Sequence, residues 1–396
     1  MTSAFDRLVC GADTVIPKKE LKKKLEKSRP LRIKLGIDPT SPDIHLGFAV
    51  VLRKLREFQD FGHIAVLVIG DFTARIGDPS GRSKTRNPLT KEEVKENIKG
   101  YRRQIFKILD EEKTEFRYNS EWLSKLTPSD IVKISSQITV ARLLERDDFE
   151  ERFKEEHPIA LHEFLYPVFQ AYDSVAIQAD VELGGTDQKW NHLLGRDMQR
   201  SFGQEPQVVF LMPLLEGLDG VKKMSKSYDN YIGIEEPPKE QFGKVMSIPD
   251  DLILRYYKLC LGYDEEFLRR VERRVESGEN PMEIKLDLAE EIVRLYHSEA
   301  KVKKAREEFL KVFSRNEEPE DIGEFHVKKG EKIWIVELLY KAGLVNSMGD
   351  ARRLIKQGAL KIHGEKVSDY TLNISFEKET FLRLGRRRFL KVIPTK

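Results

Sequence analysis

Apolar and polar positions alternate from Leu31 to Ile37, the period-two pattern of a strand. A turn-rich stretch, Asp38–Pro39–Thr40–Ser41–Pro42–Asp43, follows. Leu46, Ala49, Val50, Leu52 and Phe58 then recur at helical spacing until Gly62. Ile64 to Ile69 is a nearly continuous apolar run, as in a buried parallel strand. Strand, helix and strand at this spacing predict a βαβ unit. Thr90 with Glu93 forms a capping box for a charged helix to about Leu109, and Thr127–Pro128 opens another. Ile138 to Phe153 is amphipathic and heavily charged, either a solvated helix or a subunit contact. Leu161 to Tyr172 reads as a more apolar helix, Val175 to Ile177 as a strand and Val208 to Met212 as another. The alternation predicts an α/β fold with a parallel sheet covered by helices.

The pattern changes near Pro237–Pro238. From there to about Phe313 it is helical, with caps at Ser247–Ile248–Pro249 and Asn280–Pro281. Glu317 to Gly323 reads as an acidic linker. Beyond it, Ile333–Ala342 and Met348–Gln357 read as short helices, with Ser347 as cap and Gly358 as stop, and several short strands follow, one pair turning at His363–Gly364. The expected division is 1–235, 236–320 and 330–396, with a helical insertion at about 125–160.

Composition narrows the class. Hydrophobic residues make up 40% of the 396, enough for ordinary cores. No apolar run approaches the roughly 20 residues of a membrane span. Met1 to Cys10 lacks a basic-then-apolar signal, and the only cysteines, Cys10 and Cys260, fit neither a disulfide framework nor a zinc site. A reducing, cytoplasmic setting is expected. Charged residues reach 34% yet nearly cancel to +3, so any nucleic-acid surface must be a local basic patch.

Three constellations carry chemistry. Asp38–Pro39–Thr40 with His45–Leu46–Gly47 lies between a strand end and a helix start, where free N–H groups meet phosphates. Gly47 removes a side chain where a purine or ribose could approach, and His45 can donate to a phosphate oxygen; a capped helix with an incidental histidine is the rival reading. Lys222–Lys223–Met224–Ser225–Lys226–Ser227 sits between Gly217, Gly220 and Gly233. Two ammonium groups on such a loop suit a mobile clamp on a polyphosphate, against the alternative of a solvated basic loop. Tyr166, Gln170 and Asp173 fall at i, i+4 and i+7, one stripe of an otherwise apolar helix. Buried polar groups there need partners, either in the core or in a ligand.

Together the first two segments resemble the paired signatures of class I aminoacyl-tRNA synthetases, one matched as His45–Leu46–Gly47–Phe48, the other as Lys223 to Ser227. Phe48 departs from the usual His or Asn. Tyr166–Asp173, Gly184–Gly185–Thr186–Asp187–Gln188, Gly70–Asp71–Phe72–Thr73 and Ile76–Gly81 resemble the tyrosyl-tRNA synthetases of bacteria over essentially the whole chain. The resemblance implies a Rossmann-like catalytic domain, an α-helical anticodon-binding domain and a small α+β RNA-binding domain. It implies activation of L-tyrosine with ATP to tyrosyl-adenylate and pyrophosphate, then transfer to the 3′ end of tRNA(Tyr). Asp78 and Tyr166, helped by Gln170, would hold the substrate ammonium, and Asp173 would accept the phenolic proton. Gln188 would lie near the carboxylate and the α-phosphate, with Lys34 near the phenol. Gly36, Asp38, Thr40, His45, Gly47, Gly185, Asp187, Met224 and Lys226 would line the ATP side. Thr40, His45, Lys223 and Lys226 would act in catalysis. Magnesium would arrive on ATP, with no tightly held protein metal. A homodimer is implied, with residues 125–160 at its interface.

The tail, Ser347 to Ile355 followed by Gly358 to Gly364, resembles an RNA-binding module shared with a small-subunit ribosomal protein. Arg352, Arg353, Lys356, Arg386, Arg387 and Arg388 would contact tRNA phosphates. Tryptophanyl enzymes lack this tail, and a carboxylate at 173 suits a phenol. An inactive RNA-binding protein would not need the intact Lys223–Ser227 loop. Gly77 to Lys84 is glycine- and base-rich but lacks the P-loop spacing.

Overall fold

Why a cleft forms where it does follows from strand order. The computed structural model describes residues 3–38, 43–76, 91–314, 323–362, 364–385 and 388–395. The strands of the first sheet are β1 (Thr14–Ile16), β2 (Arg32–Ile37), β3 (Ile64–Ile69), β4 (Thr114–Tyr118), β5 (Val181–Gly185) and β6 (Val208–Met212), in the order β1–β6–β5–β2–β3–β4. All neighbours are parallel except β1 against β6. From β2 the chain steps outward to β3 and β4, then returns to β5 on the other side of β2. At such a reversal the connections leave in opposite directions and open a crevice beyond the carboxyl ends of β2 and β5.

Local chemistry sets the elements. The His45 imidazole caps the Leu46–Asp60 helix, and Thr127 and Asp130 form a reciprocal capping box for the Pro128–Ser135 helix. β3 is buried along nearly all its length, matching its apolar run. Three expectations need correction. Val175 to Ile177 is not a strand: the Leu161–Ala176 helix runs through it, Ile177 is its cap, and the next strand starts at Val181. Three apolar residues cannot be told from a buried helix end by period alone. The Ile138–Phe153 stretch is two short helices, Val140–Leu143 capped by Thr139 and Asp147–Lys154. Ile333 belongs to a short strand, Lys332–Trp334, and the helix begins at Ile335.

Contacts divide the chain into two compact units, Met1–Ser298 and Glu299–Lys396. The first ends in helices that include Pro238–Met246, Glu265–Glu276 and Pro281–Arg294. The second holds a five-stranded sheet ordered Glu365–Val367, Leu360–Ile362, Thr380–Leu384, Arg388–Thr395, Gly323–Lys328. Ile335, Leu338, Leu339, Ile355, Leu382 and Val392 form its core. Gly323, expected to end the linker, starts a strand parallel to Arg388–Thr395. The rest of the expected linker lies outside the described residues.

Candidate active site

The crevice beyond β2 and β5 holds a cavity of about 330 Å³. One wall is made by Gly36 and Ile37 at the end of β2 and by Asp38 just past it. A Cβ added at Gly36 would meet nothing within 4 Å, so the glycine leaves cavity space open. The His45 Nδ1 accepts the Phe48 N–H at 3.3 Å, which places the ring proton on Nε2. Loss of hydration, then the ammonium groups of Lys226 and Lys223, push His45 down to about 4, so it is a neutral donor at physiological pH. The Gly47 N–H donates to Met224 Sδ at 3.4 Å, and a Cβ there would lie 3.3 Å from Met224 Cβ. Gly47 thus lets the basic loop rest on the helix start.

The floor belongs to the Leu161–Ala176 helix, whose stripe of Tyr166, Gln170 and Asp173 faces this cavity. The Tyr166 hydroxyl donates to Asp38 Oδ2. Asp173, 4% exposed, accepts from Trp122 Nε1 at 2.8 Å and Asn119 Nδ2 at 3.4 Å. Burial raises its carboxyl to about 7 against the pull of Lys34, Trp122 and Asn119. Asn119 is itself fixed, accepting the Phe72 N–H at 2.9 Å and donating to Thr73 Oγ1 at 3.0 Å. Gly70 has no side chain because a Cβ would come within 2.1 Å of Asp38 Oδ1.

The basic loop closes the opposite side. Lys223 Nζ pairs with Asp187 Oδ2 at 2.6 Å, and Lys226 Nζ with Asp43 Oδ2 at 3.0 Å. Buried Asn230 clamps the loop, accepting the Ser225 N–H at 2.8 Å and donating to the Lys222 and Lys223 carbonyls.

Residues 26–314 match the family model described as tRNA synthetases class I (W and Y), and residues 316–390 match the tyrosine–tRNA ligase SYY-like C-terminal domain. A tyrosine–tRNA ligase of Carboxydothermus hydrogenoformans is 51% identical over 393 residues, 97% of this chain and 96% of the relative. One of Thermotoga maritima is 52% identical over 379 residues, 96% and 94%. The chain belongs to the tyrosine–tRNA ligase family. It activates L-tyrosine with ATP to tyrosyl-adenylate and pyrophosphate, then transfers tyrosine to the 3′ end of tRNA(Tyr). Solved structures share the fold. The C-terminally truncated mitochondrial tyrosyl-tRNA synthetase of Aspergillus nidulans aligns at TM-score 0.66 and 20% identity, covering 79% of this chain and 95% of that one. The Archaeoglobus fulgidus tyrosyl-tRNA synthetase complexed with L-tyrosine aligns at 0.63 and 24%, covering 76% and 98%.

Within this tyrosine–tRNA ligase family fold, Gly36, Asp38, His45, Gly47, Tyr166, Gln170, Asp173, Gly185, Asp187, Gln188, Lys223 and Met224 line one cavity. Lys226 lines an adjoining one with Asp43 and His45. Lys34 lies beneath the floor: its Nζ is 2.8 Å from Glu182 Oε1, 2.8 Å from Ser174 Oγ and 3.0 Å from the Gln170 carbonyl, which occupies its three N–H groups. Burial works to raise Glu182, but His192, Lys34 and Gln207 outweigh it and hold the carboxyl below its usual range. Thr40 and Asp78 lie outside the described residues. Arg352, Arg353, Lys356 and Arg388 lie in the second unit; Arg386 and Arg387 are outside the described residues. Sequence reasoning missed Asn119, Trp122, Glu182 and His192. A lone acid inside the apolar run Val181–Leu183 was a signal for Glu182; nothing local marked the others.

Proposed function

We propose that tyrosine and ATP meet in the β2–β5 cavity, tyrosine over the Leu161–Ala176 helix and ATP along Gly36, Asp38, His45 and Gly47. The observation that carries this reading is Asp173, a buried carboxylate oriented by Trp122 and Asn119 at the cavity floor. It accepts the phenolic proton. Gln170, whose buried Oε1 meets no donor among the described residues, accepts from the ammonium with Tyr166 and Asp78. Gln188 positions the carboxylate, one oxygen of which attacks the α-phosphorus as the bond to pyrophosphate breaks. No protein nucleophile is needed, so catalysis is positioning and charge stabilisation. His45, with its proton on Nε2, donates to a phosphate oxygen. Thr40, Gly185, Asp187 and Met224 complete the nucleotide side. Magnesium is read as substrate, carried into the cavity by the polyphosphate of ATP.

Lys223 and Lys226 pair with Asp187 and Asp43, and would exchange those carboxylates for the departing pyrophosphate. Lys223→Ala is expected to slow adenylate formation about 10²-fold in a single-turnover quench. The Kd for ATP should move far less, because the ground state gains little from an amine that must first leave Asp187. An affinity loss at unchanged rate would contradict this.

A homodimer through residues 125–160 is supported by apolar side chains left exposed there, Val132 at 69%, Val140 at 61% and Phe153 at 63%, with Leu161 at 81% just beyond. Sedimentation at micromolar concentration should give twice the chain mass, and Phe153→Asp should shift it toward the monomer. A wild-type monomer would refute the interface. Cytoplasmic placement is supported by the free thiols Cys10 and Cys260, which suit a reducing setting. No helix among the described residues is long and apolar enough to cross a membrane. The tail is read as a tRNA surface, with Arg352 over Trp334, Lys356 over Tyr370, and Arg353 and Arg388 in the same unit.

A further inference from the structure

Lys222–Met224 hangs on a short stretch of chain, Leu214–Gly217. The Met224 N–H donates to the Leu215 carbonyl at 2.7 Å, the Gly217 N–H to the Lys222 carbonyl at 2.9 Å, and Glu216 faces Lys223 in an antiparallel bridge. Two consecutive residues hold that stretch. Arg255 Nη2 donates to the Leu214 carbonyl at 2.7 Å and its Nε lies 2.5 Å from Glu216 Oε2. The buried Tyr256 hydroxyl donates to the Glu216 carbonyl at 2.8 Å. Just before them, Pro249 packs on the loop's turn: a Cβ at Gly220 would come within 2.6 Å of its Cγ.

The same segment reaches the other signature. It passes through a π-helical turn, Tyr257–Leu261, a form found mostly as single turns in functional regions. The Leu261 carbonyl accepts from Arg53 Nη2 at 3.0 Å, on the helix that His45 caps. Pro249–Leu261 therefore touches both the base of the loop bearing Lys223 and the helix headed by His45. Neither Arg255 nor Tyr256 lines the described cavities.

We propose that Arg255 and Tyr256 are positioning residues for tyrosine activation: they fix the stretch from which Lys223 reaches the leaving pyrophosphate, in register with the His45 helix. The proposal rests on Lys223 acting in the transition state. A loop that swings delivers its amine accurately only from a fixed base, and a misplacement of about 1 Å costs on the order of 10²-fold in rate.

Tyr256→Phe removes one hydroxyl and keeps the buried ring. Arg255→Met keeps the stem of a side chain that is 39% exposed, so the fold tolerates it. Each should lower kcat for tyrosine-dependent pyrophosphate exchange about tenfold, with KM for tyrosine unchanged. The deciding readout is the cycle with Lys223→Ala. Because both residues act through Lys223, adding either change to Lys223→Ala should slow exchange no further. Full additivity would overturn the proposal, as would wild-type kcat in both single variants. If Lys223→Ala alone left the rate intact, the transition-state reading beneath the proposal would fail and take the proposal with it; that failure shows in a different variant from the other two.

Discussion

Asp173→Ala is expected to lose kcat/KM for tyrosine by about 10²–10³, since truncating one partner of a buried charge-assisted hydrogen bond costs about 2–5 kcal/mol. ATP binding should be nearly untouched, because Gly36, His45 and Gly47 do not depend on the carboxylate. The loss has two sources. The substrate phenol has no acceptor, and the Trp122 and Asn119 donors are left facing an apolar void. Asp173 also sets a pH signature. Burial pushes its carboxyl up to about 7, so below that pH the free protein holds mostly the acid and above it the carboxylate. The carboxylate is the better acceptor for a phenol. kcat/KM for tyrosine, which reports the free protein, should therefore rise through pH 7. Asp173→Asn, which cannot ionise, should flatten that step. Normal exchange in Asp173→Ala would sink the substrate assignment.

What the sequence made legible is what local pattern encodes. The His45–Gly47 segment, the Lys223–Ser227 loop and the Tyr166–Asp173 stripe each lie on a single element, so period and motif sufficed. Trp122 and Asn119 escaped because they lie just past β4, 51 and 54 residues from Asp173 along the chain, a meeting only the fold creates. β4 itself escaped because Thr114–Tyr118 is half-buried throughout, so its apolar alternation is weak. β1 is three residues long, and its antiparallel pairing with β6 is a tertiary event. The family resemblance set Lys34 near the phenol; in the structure its ammonium meets Glu182, an acid whose burial the pattern left unexplained.

A chain ending before Gly323 should still form tyrosyl-adenylate at close to the normal rate, and its kcat/KM for tRNA should fall on the order of 10²-fold. Among the described residues, none that lines either cavity lies beyond Ser227. The tail has its own core around Ile335, Leu339 and Val392, and carries Arg352, Arg353, Lys356 and Arg388. Each tRNA phosphate that no longer meets a cation should flatten the dependence of log K on log salt by roughly 0.7–0.9. The remaining tRNA affinity of the shortened chain should therefore be both weaker and less salt-sensitive. Charging equal to that of the full chain would make the tail dispensable. Failure to form adenylate would mean that the tail supports the catalytic fold.

We propose that the cavity beyond β2 and β5 reads a phenol with Asp173 while it activates a carboxylate on ATP. ATP–pyrophosphate exchange measured with each of the 20 amino acids, without tRNA, tests it most directly. Exchange is expected with tyrosine and none above background with phenylalanine or tryptophan, the preference collapsing in Asp173→Ala. Exchange driven equally by phenylalanine, or by tryptophan in place of tyrosine, would contradict it.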